Sequence, residues 1–185
     1  MTMPAFSDLA VLVLAAGASR RFGPQDKLLA TQSGRPLAAH AFALAGGVPA
    51  AQRLAVTASP AVAALAHQAG LRALTVPPGG RQSDSLRAGI AALSPRIGAV
   101  LILLADMPCL EPGDLAALLH LCAPACATNG IVAMPPALLP RDWLADLPTA
   151  TDQGARNLLR RIPQNRRIHL PTGHLHDIDV PSDFG

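Results

Sequence analysis

The sequence predicts an α/β protein: a single-domain, three-layer α/β/α, Rossmann-like fold around a mostly parallel sheet. Three observations predict it. Apolar runs of strand length alternate with helix-like stretches along the first two thirds of the chain. The clearest of these runs are continuously apolar rather than alternating, as in strands buried on both faces. Glycine, proline or polar residues break the chain between elements.

The elements follow in order. Leu9–Leu14 is a strand that breaks at Ala16-Gly17, and Pro36–Leu44 is a helix ending at Gly46-Gly47. Arg53–Ala58 is a second strand, and Ala61–Ala69 a helix that Gly70 ends. Arg72–Val76 is a third strand, stopped by Pro77-Pro78-Gly79-Gly80. Ser83–Leu93 is helical, with Ser83 or Asp84 placed to cap its first turn. Ala99–Leu104 is a fourth strand, and Pro112 opens a helix that includes Leu115–Leu121. Beyond residue 122 the pattern weakens to a strand at Ile131–Met134, a helix at Gly154–Arg161 and a short strand at Arg167–Leu170.

A length of 185 residues fits one domain, 1–185, with a core of its own. That core is built from Ala, Leu and Val, because only 3% of residues are aromatic. No apolar run approaches the roughly 18 residues of a membrane span, and no signal-peptide pattern opens the chain, so a cytoplasmic protein with no membrane partner is expected. A formal charge of +3 is too small to argue for nucleic acid. Cys109, Cys122 and Cys126 read as free thiols, since Cys122-x3-Cys126 has no second pair at zinc spacing. Of the 15 basic residues, Lys27 is the only lysine.

Ligands of open α/β sheets bind beyond the carboxyl ends of the strands. Residues 15–27, 77–85 and 105–108 all fall at such ends. The first reads Leu14-Ala15-Ala16-Gly17-Ala18-Ser19-Arg20-Arg21-Phe22-Gly23-Pro24-Gln25-Asp26-Lys27. Small residues let backbone N–H groups approach an anion, and Arg21 and Lys27 add charge that suits a polyphosphate. The glycine spacing is wrong for a Walker loop or a dinucleotide fingerprint. In the second, Gly79-Gly80 permits close approach of a flat ligand, and Ser83 and Ser85 bring hydroxyls to a helix start. In the third, Asp106 directly follows an apolar strand, which is costly unless the charge is used or solvated. At the rim it suits Mg²⁺, which takes one or two carboxylates plus phosphate oxygens and water. His174-x-His176-Asp177-x-Asp179 leaves a transition-metal site as an alternative. Asp177 and Asp179 share one side of an extended segment.

The run L-A-A-G-x-S-x-R-F-G followed by K-L-L resembles the signature of the MobA-like nucleotidyltransferases, of the nucleotide-diphospho-sugar transferase type. The resemblance implies that Leu14, Ala15, Ala16, Gly17, Ser19, Arg21 and Lys27 wrap a triphosphate. Gly80, Arg81 and Ser85 lie in a segment similar to the base-binding segments of molybdenum-cofactor and methylerythritol-phosphate cytidylyltransferases. Ala105-Asp106-Met107-Pro108 resembles a motif whose Asp is a metal ligand. Asp177-Ile178-Asp179-Val180-Pro181-Ser182-Asp183 resembles a D-I-D-T-P-E-D motif and implies Asp179 as second ligand. Arg21, Lys27 and Asp106 are thus the expected catalytic residues, with Mg²⁺ as cofactor and Mn²⁺ as its alternative. Thr151–Leu159 resembles G-D-x-G-A-R-x-L-L of the molybdenum-cofactor cytidylyltransferases and implies Asp152 and Arg156 on the acceptor side. Arg156 and Arg160 equally read as a solvated helix face. Asn129–Leu139 departs from the family's G-x-P-V-x-F-like segment.

The implied reaction moves NMP, CMP from CTP by the base segment, to the terminal phosphate of molybdopterin or molybdenum cofactor, releasing PPi. The implied partners are an NTP and a phosphorylated acceptor, with transient contact to molybdoenzymes or cofactor chaperones. The rivals are a cytidylyltransferase of methylerythritol phosphate or another sugar-like phosphate, a molybdenum-cofactor guanylyltransferase, and a non-catalytic nucleotide-binding module.

Overall fold

A computed structural model describes residues 7–17, 22, 26–145, 147 and 156–183. Strand β1 (Leu9–Ala15) is buried along its whole length. A short hairpin, β2 (Thr31–Gln32) and β3 (Arg35–Pro36), turns through Ser33 and Gly34 at positive φ and leads into α1 (Leu37–Gly47). Then come β4 (Gln52–Thr57), α2 (Pro60–Gln68), β5 (Arg72–Thr75), α3 (Gln82–Ala91), β6 (Ala99–Leu104) and α4 (Pro112–Leu121). The later part holds β7 (Ala125–Thr128), β8 (Ala133–Pro140), α5 (Arg141–Leu144), α6 (Arg156–Arg161) and β9 (Arg167–His169).

Seven strands form one sheet in the order β5-β4-β1-β6-β8-β7-β9. β1 pairs parallel with β4 on one side and β6 on the other, so the strand order reverses around it. Only β8 runs against its neighbours. The sheet is mostly parallel and flanked by helices, as the alternation of elements requires. Side chains of β1 alternate between two cores. Leu9, Val11 and Val13 pack with Leu37, Phe42 and Leu118, whereas Ala10, Leu12 and Leu14 pack with Leu86, Leu158 and Leu159. The fold is thus three layers thick, with apolar packing on both sheet faces.

Two departures from expectation have local causes. The strand expected at Ile131–Met134 begins at Ala133 and continues to Pro140, through three prolines. Prolines cannot donate to a ladder and argue against a central strand. Here the register jumps from Cys126↔Ala137 to Ala127↔Met134, so Pro135 and Pro136 occupy an irregularity of the ladder. At the start of α3, Asp84 accepts from the Arg81 backbone N–H at 3.3 Å and restrains the first turn. Ser83 does not share that task. It is wholly buried, and its hydroxyl has no partner among the described residues.

Candidate functional site

The parallel strands deliver three loops to one rim. Together with the segment around Asp179 they line a cleft of about 410 Å³. β1 ends in Leu14 and Ala15 and runs on through Ala16 and Gly17, all four at the cleft wall. The loop after β5 contributes Gly79, Gly80 and Arg81, and α3 contributes Gln82 and Ser85. β6 contributes Leu104, and Asp106 stands just beyond its end. Gly79 has φ +79, a backbone conformation that side chains with a Cβ resist, and this turn aims the loop at the cleft.

Lys27 opens a short 3₁₀ turn, Lys27–Leu29. The Asp26 carboxylate fixes that turn by accepting from the Leu28 N–H at 3.0 Å. The lysine is 7% exposed, and its ammonium donates to Asp106 Oδ2 at 2.8 Å, Asp179 Oδ1 at 3.0 Å and the Ile178 carbonyl at 2.8 Å. An ammonium has three N–H donors, so these acceptors saturate it. Burial works against the charge, but the Asp106 and Asp179 carboxylates outweigh burial and hold the pKa above its ordinary value.

The C-terminal segment is fixed from several sides. The Ile178 N–H donates to the Asp106 carbonyl at 3.0 Å, and the Ile178 side chain is buried in the core. The Asp183 carboxylate accepts from the N–H groups of Asp179 at 2.8 Å and Val180 at 3.0 Å. These backbone donors hold the Asp183 carboxyl below its ordinary range. Upstream, His174 Nδ1 lies 2.9 Å from Asp114 Oδ2, at the start of α4. His174 is therefore engaged by Asp114, away from the carboxylate pair. No group of three or more His, Cys, Asp or Glu suited to a metal occurs among the described residues.

Two carboxylates converge on one cation, and their side chains keep 22% and 46% exposure. That donor set of hard oxygens, with surface left open to the cleft, fits a divalent ion completed by phosphate and water.

The structure thus brings together Leu14, Ala15, Ala16, Gly17, Lys27, Gly80, Arg81, Ser85, Asp106 and Asp179. Ser19, Arg21 and Asp152 lie outside the described residues. Arg156 is exposed on α6 and does not line the cleft, and Asp177 is exposed as well. Arg166 donates to the Leu121 carbonyl, Arg167 Nε donates to the Ile162 carbonyl at 2.8 Å, and Arg161 stacks 4.6 Å from the Trp143 ring. Arg166 and Arg167 thus tie the loops around α6 to one another, while Arg161 remains exposed beside Trp143. Sequence reasoning missed Leu28, Gln82 and Leu104 in the cleft wall. Leu104 carried a signal as the last apolar residue of a strand ending at the rim. The Ile178 carbonyl carried none, since every residue has one.

Among solved structures, the chain is similar to a nucleotidyl transferase from Methanothermobacter (Mth528), with TM-score 0.76 and 20% identity over 95% of this chain and 94% of that one. It is also similar to Rv0371c from Mycobacterium tuberculosis H37Rv, with TM-score 0.74 and 24% identity over 95% of each chain. That protein has also been solved in complex with manganese. A 4-diphosphocytidyl-2C-methyl-D-erythritol synthase from Anaerococcus prevotii superposes with TM-score 0.72 at 13% identity, over 97% of this chain and 96% of that one. At such identities the likeness speaks for the fold alone. No curated protein matches the sequence. Kinship comes instead from a family profile, the MobA-like NTP transferase domain, which matches residues 11–168. With that match over most of its length, the chain is a nucleotidyltransferase of the MobA-like NTP transferase family.

Proposed function

We propose that this single nucleotidyltransferase domain, residues 1–185, moves CMP from CTP to the terminal phosphate of a molybdopterin-type acceptor, with Mg²⁺ as cofactor and Mn²⁺ as its alternative. The observation that carries the reading is the meeting of Lys27, Asp106 and Asp179 in a cleft walled by Ala15–Gly17 and Gly79–Ser85. A buried lysine beside two open carboxylates suits a triphosphate and its metal better than a neutral ligand.

The residues divide the work. Ala15, Ala16 and Gly17 put backbone against the phosphates, with Ser19 and Arg21 of the same loop completing the grip. Gly80, Arg81 and Ser85 meet the base and sugar. Asp106 and Asp179 hold the metal, which when bound lends positive charge to the reacting phosphates. Lys27 stabilises charge on the leaving pyrophosphate. The acceptor phosphate has a second pKa of about 6 and is largely ionised near neutrality, so no general base is required. Rate enhancement then comes from alignment and charge stabilisation. Asp152 and Arg156 are proposed on the acceptor side.

The test is PPi release with each of the four NTPs and a molybdopterin-type acceptor, with and without Mg²⁺. Methylerythritol phosphate serves as the competing acceptor. The expected result is release with CTP, the molybdopterin-type acceptor and metal only. Release with GTP in its place identifies a guanylyltransferase. NTP binding without PPi release from any acceptor overturns the enzymatic reading. Asp106→Ala is expected to lower turnover by ~10³-fold or more while the circular dichroism spectrum stays unchanged.

A further inference from the structure

Lys27 is usually the kind of residue assigned only to phosphate. Its geometry asks for more. All three N–H donors are already committed, two to the carboxylates that suit a metal and one to the Ile178 carbonyl. No donor is left for a triphosphate. Equally, one oxygen of each carboxylate, Asp106 Oδ2 and Asp179 Oδ1, already holds the ammonium, so a divalent ion at the pair would sit beside that positive charge. Metal and lysine compete for the same negative charge, and phosphate and carboxylate compete for the same lysine.

The geometry points to Lys27 as a specificity-determining residue that closes the carboxylate pair to a free divalent ion and admits the ion only together with a polyphosphate. This rests on the metal assignment proposed above and goes beyond it, because it gives Lys27 the task of excluding an ion that arrives without nucleotide.

The reason is electrostatic. Suppose a divalent ion alone took both carboxylates. The ammonium, 7% exposed, would have the charge of both its carboxylate partners neutralised and would face a new positive charge nearby. A buried charge stripped of its partners is strongly disfavoured. A free triphosphate meets the converse difficulty. It can draw the ammonium away, but Asp106 and Asp179 then lose the charge that Lys27 supplies while the phosphates add negative charge beside them. When both arrive together, the phosphate oxygens accept from the released ammonium and the metal neutralises the carboxylates. Each ligand removes the penalty that the other incurs, which is positive coupling between them.

The test measures Mn²⁺ binding by the loss of the free-ion electron paramagnetic resonance signal, in nucleotide-free protein. Lys27→Met keeps the aliphatic stem and removes the charge. Its Mn²⁺ affinity is expected to exceed that of wild type by about tenfold or more, within the usual range of coupling between sites. Adding Asp106→Asn to that variant is expected to abolish the gain, which places the ion on the carboxylate pair. A Lys27→Met variant that binds Mn²⁺ no more tightly than wild type overturns the inference. Wild type alone gives a second measurement should the variant fold poorly. Mn²⁺ is expected to raise its melting temperature only when CTP is present. An equal rise without nucleotide also overturns the inference. Wild type that binds no Mn²⁺ even with CTP removes the metal assignment itself, and this inference with it. Coupling kept in the Lys27→Met variant, with Mn²⁺ still bound by wild type in the presence of CTP, removes the inference alone.

Discussion

Lys27 stands apart first as a count, one lysine among 15 basic residues, and then as a position. Its pH behaviour follows from the sign of its shift. The folded pKa lies above the ordinary 10.5, so the stabilisation from its carboxylates is complete below 10.5 and is lost as pH rises through the folded value. Alkaline unfolding followed by circular dichroism should therefore bring wild type towards Lys27→Met only above 10.5. The cysteines make a second residue-scale prediction. Cys109 is exposed, whereas Cys122 and Cys126 are buried, and burial pushes the Cys126 thiol up to about 11. A thiol reagent at neutral pH should titrate Cys109 quickly in the native protein and reach the other two only after unfolding.

Among the elements, α3 joins sequence, packing and site most directly. It carries Gln82 and Ser85 into the cleft, and Gly89 presses it onto the sheet. A Cβ at Gly89 would lie 2.7 Å from Leu12 Cδ1 and 3.0 Å from Val56 Cγ2, both on core strands. Gly89→Ala should therefore push α3 off β1 and β4. An overpacking cost of about 1–3 kcal/mol is expected, read as a lower denaturation midpoint. Because Ser85 moves with the helix, the affinity for CTP that we propose should fall in parallel. At the other end of α3, Asp84 is held below its ordinary 3.8 chiefly by Arg87, with help from the Arg81 backbone. That restraint is complete above 3.8 and is lost as pH falls through the lower folded value. β1 and β6 were legible because each is one apolar run bounded by breakers. β7 was not, and β8 was legible only at its start: Ala125–Thr128 is short, and the rest of β8 hides behind prolines that local propensity places in loops. Only the pairing partner, with its shifted register, makes them strands.

At the scale of the molecule, the rim was legible before the contacts were. Three loops that follow β1, β5 and β6 had to emerge on one edge of a parallel sheet, and they do. The sequence also named Lys27, Asp106 and Asp179, although nothing in spacing alone shows that one ammonium would touch both acids. Arg156 could not be placed by pattern, since a helix face that meets an acceptor and one that meets water read alike. Among the described residues no helix is long and apolar enough to cross a membrane. The sheet holds these parts by connecting distant stretches of the chain, with Asp179 lying 152 positions from the lysine it meets. A ribosome releases the N-terminal side first, so a growing chain offers its lysine and small-residue loop long before the acid that completes them. A growing chain that has not reached residue 179 thus lacks the second carboxylate, and the contact of one ammonium with two acids forms only after that residue is made.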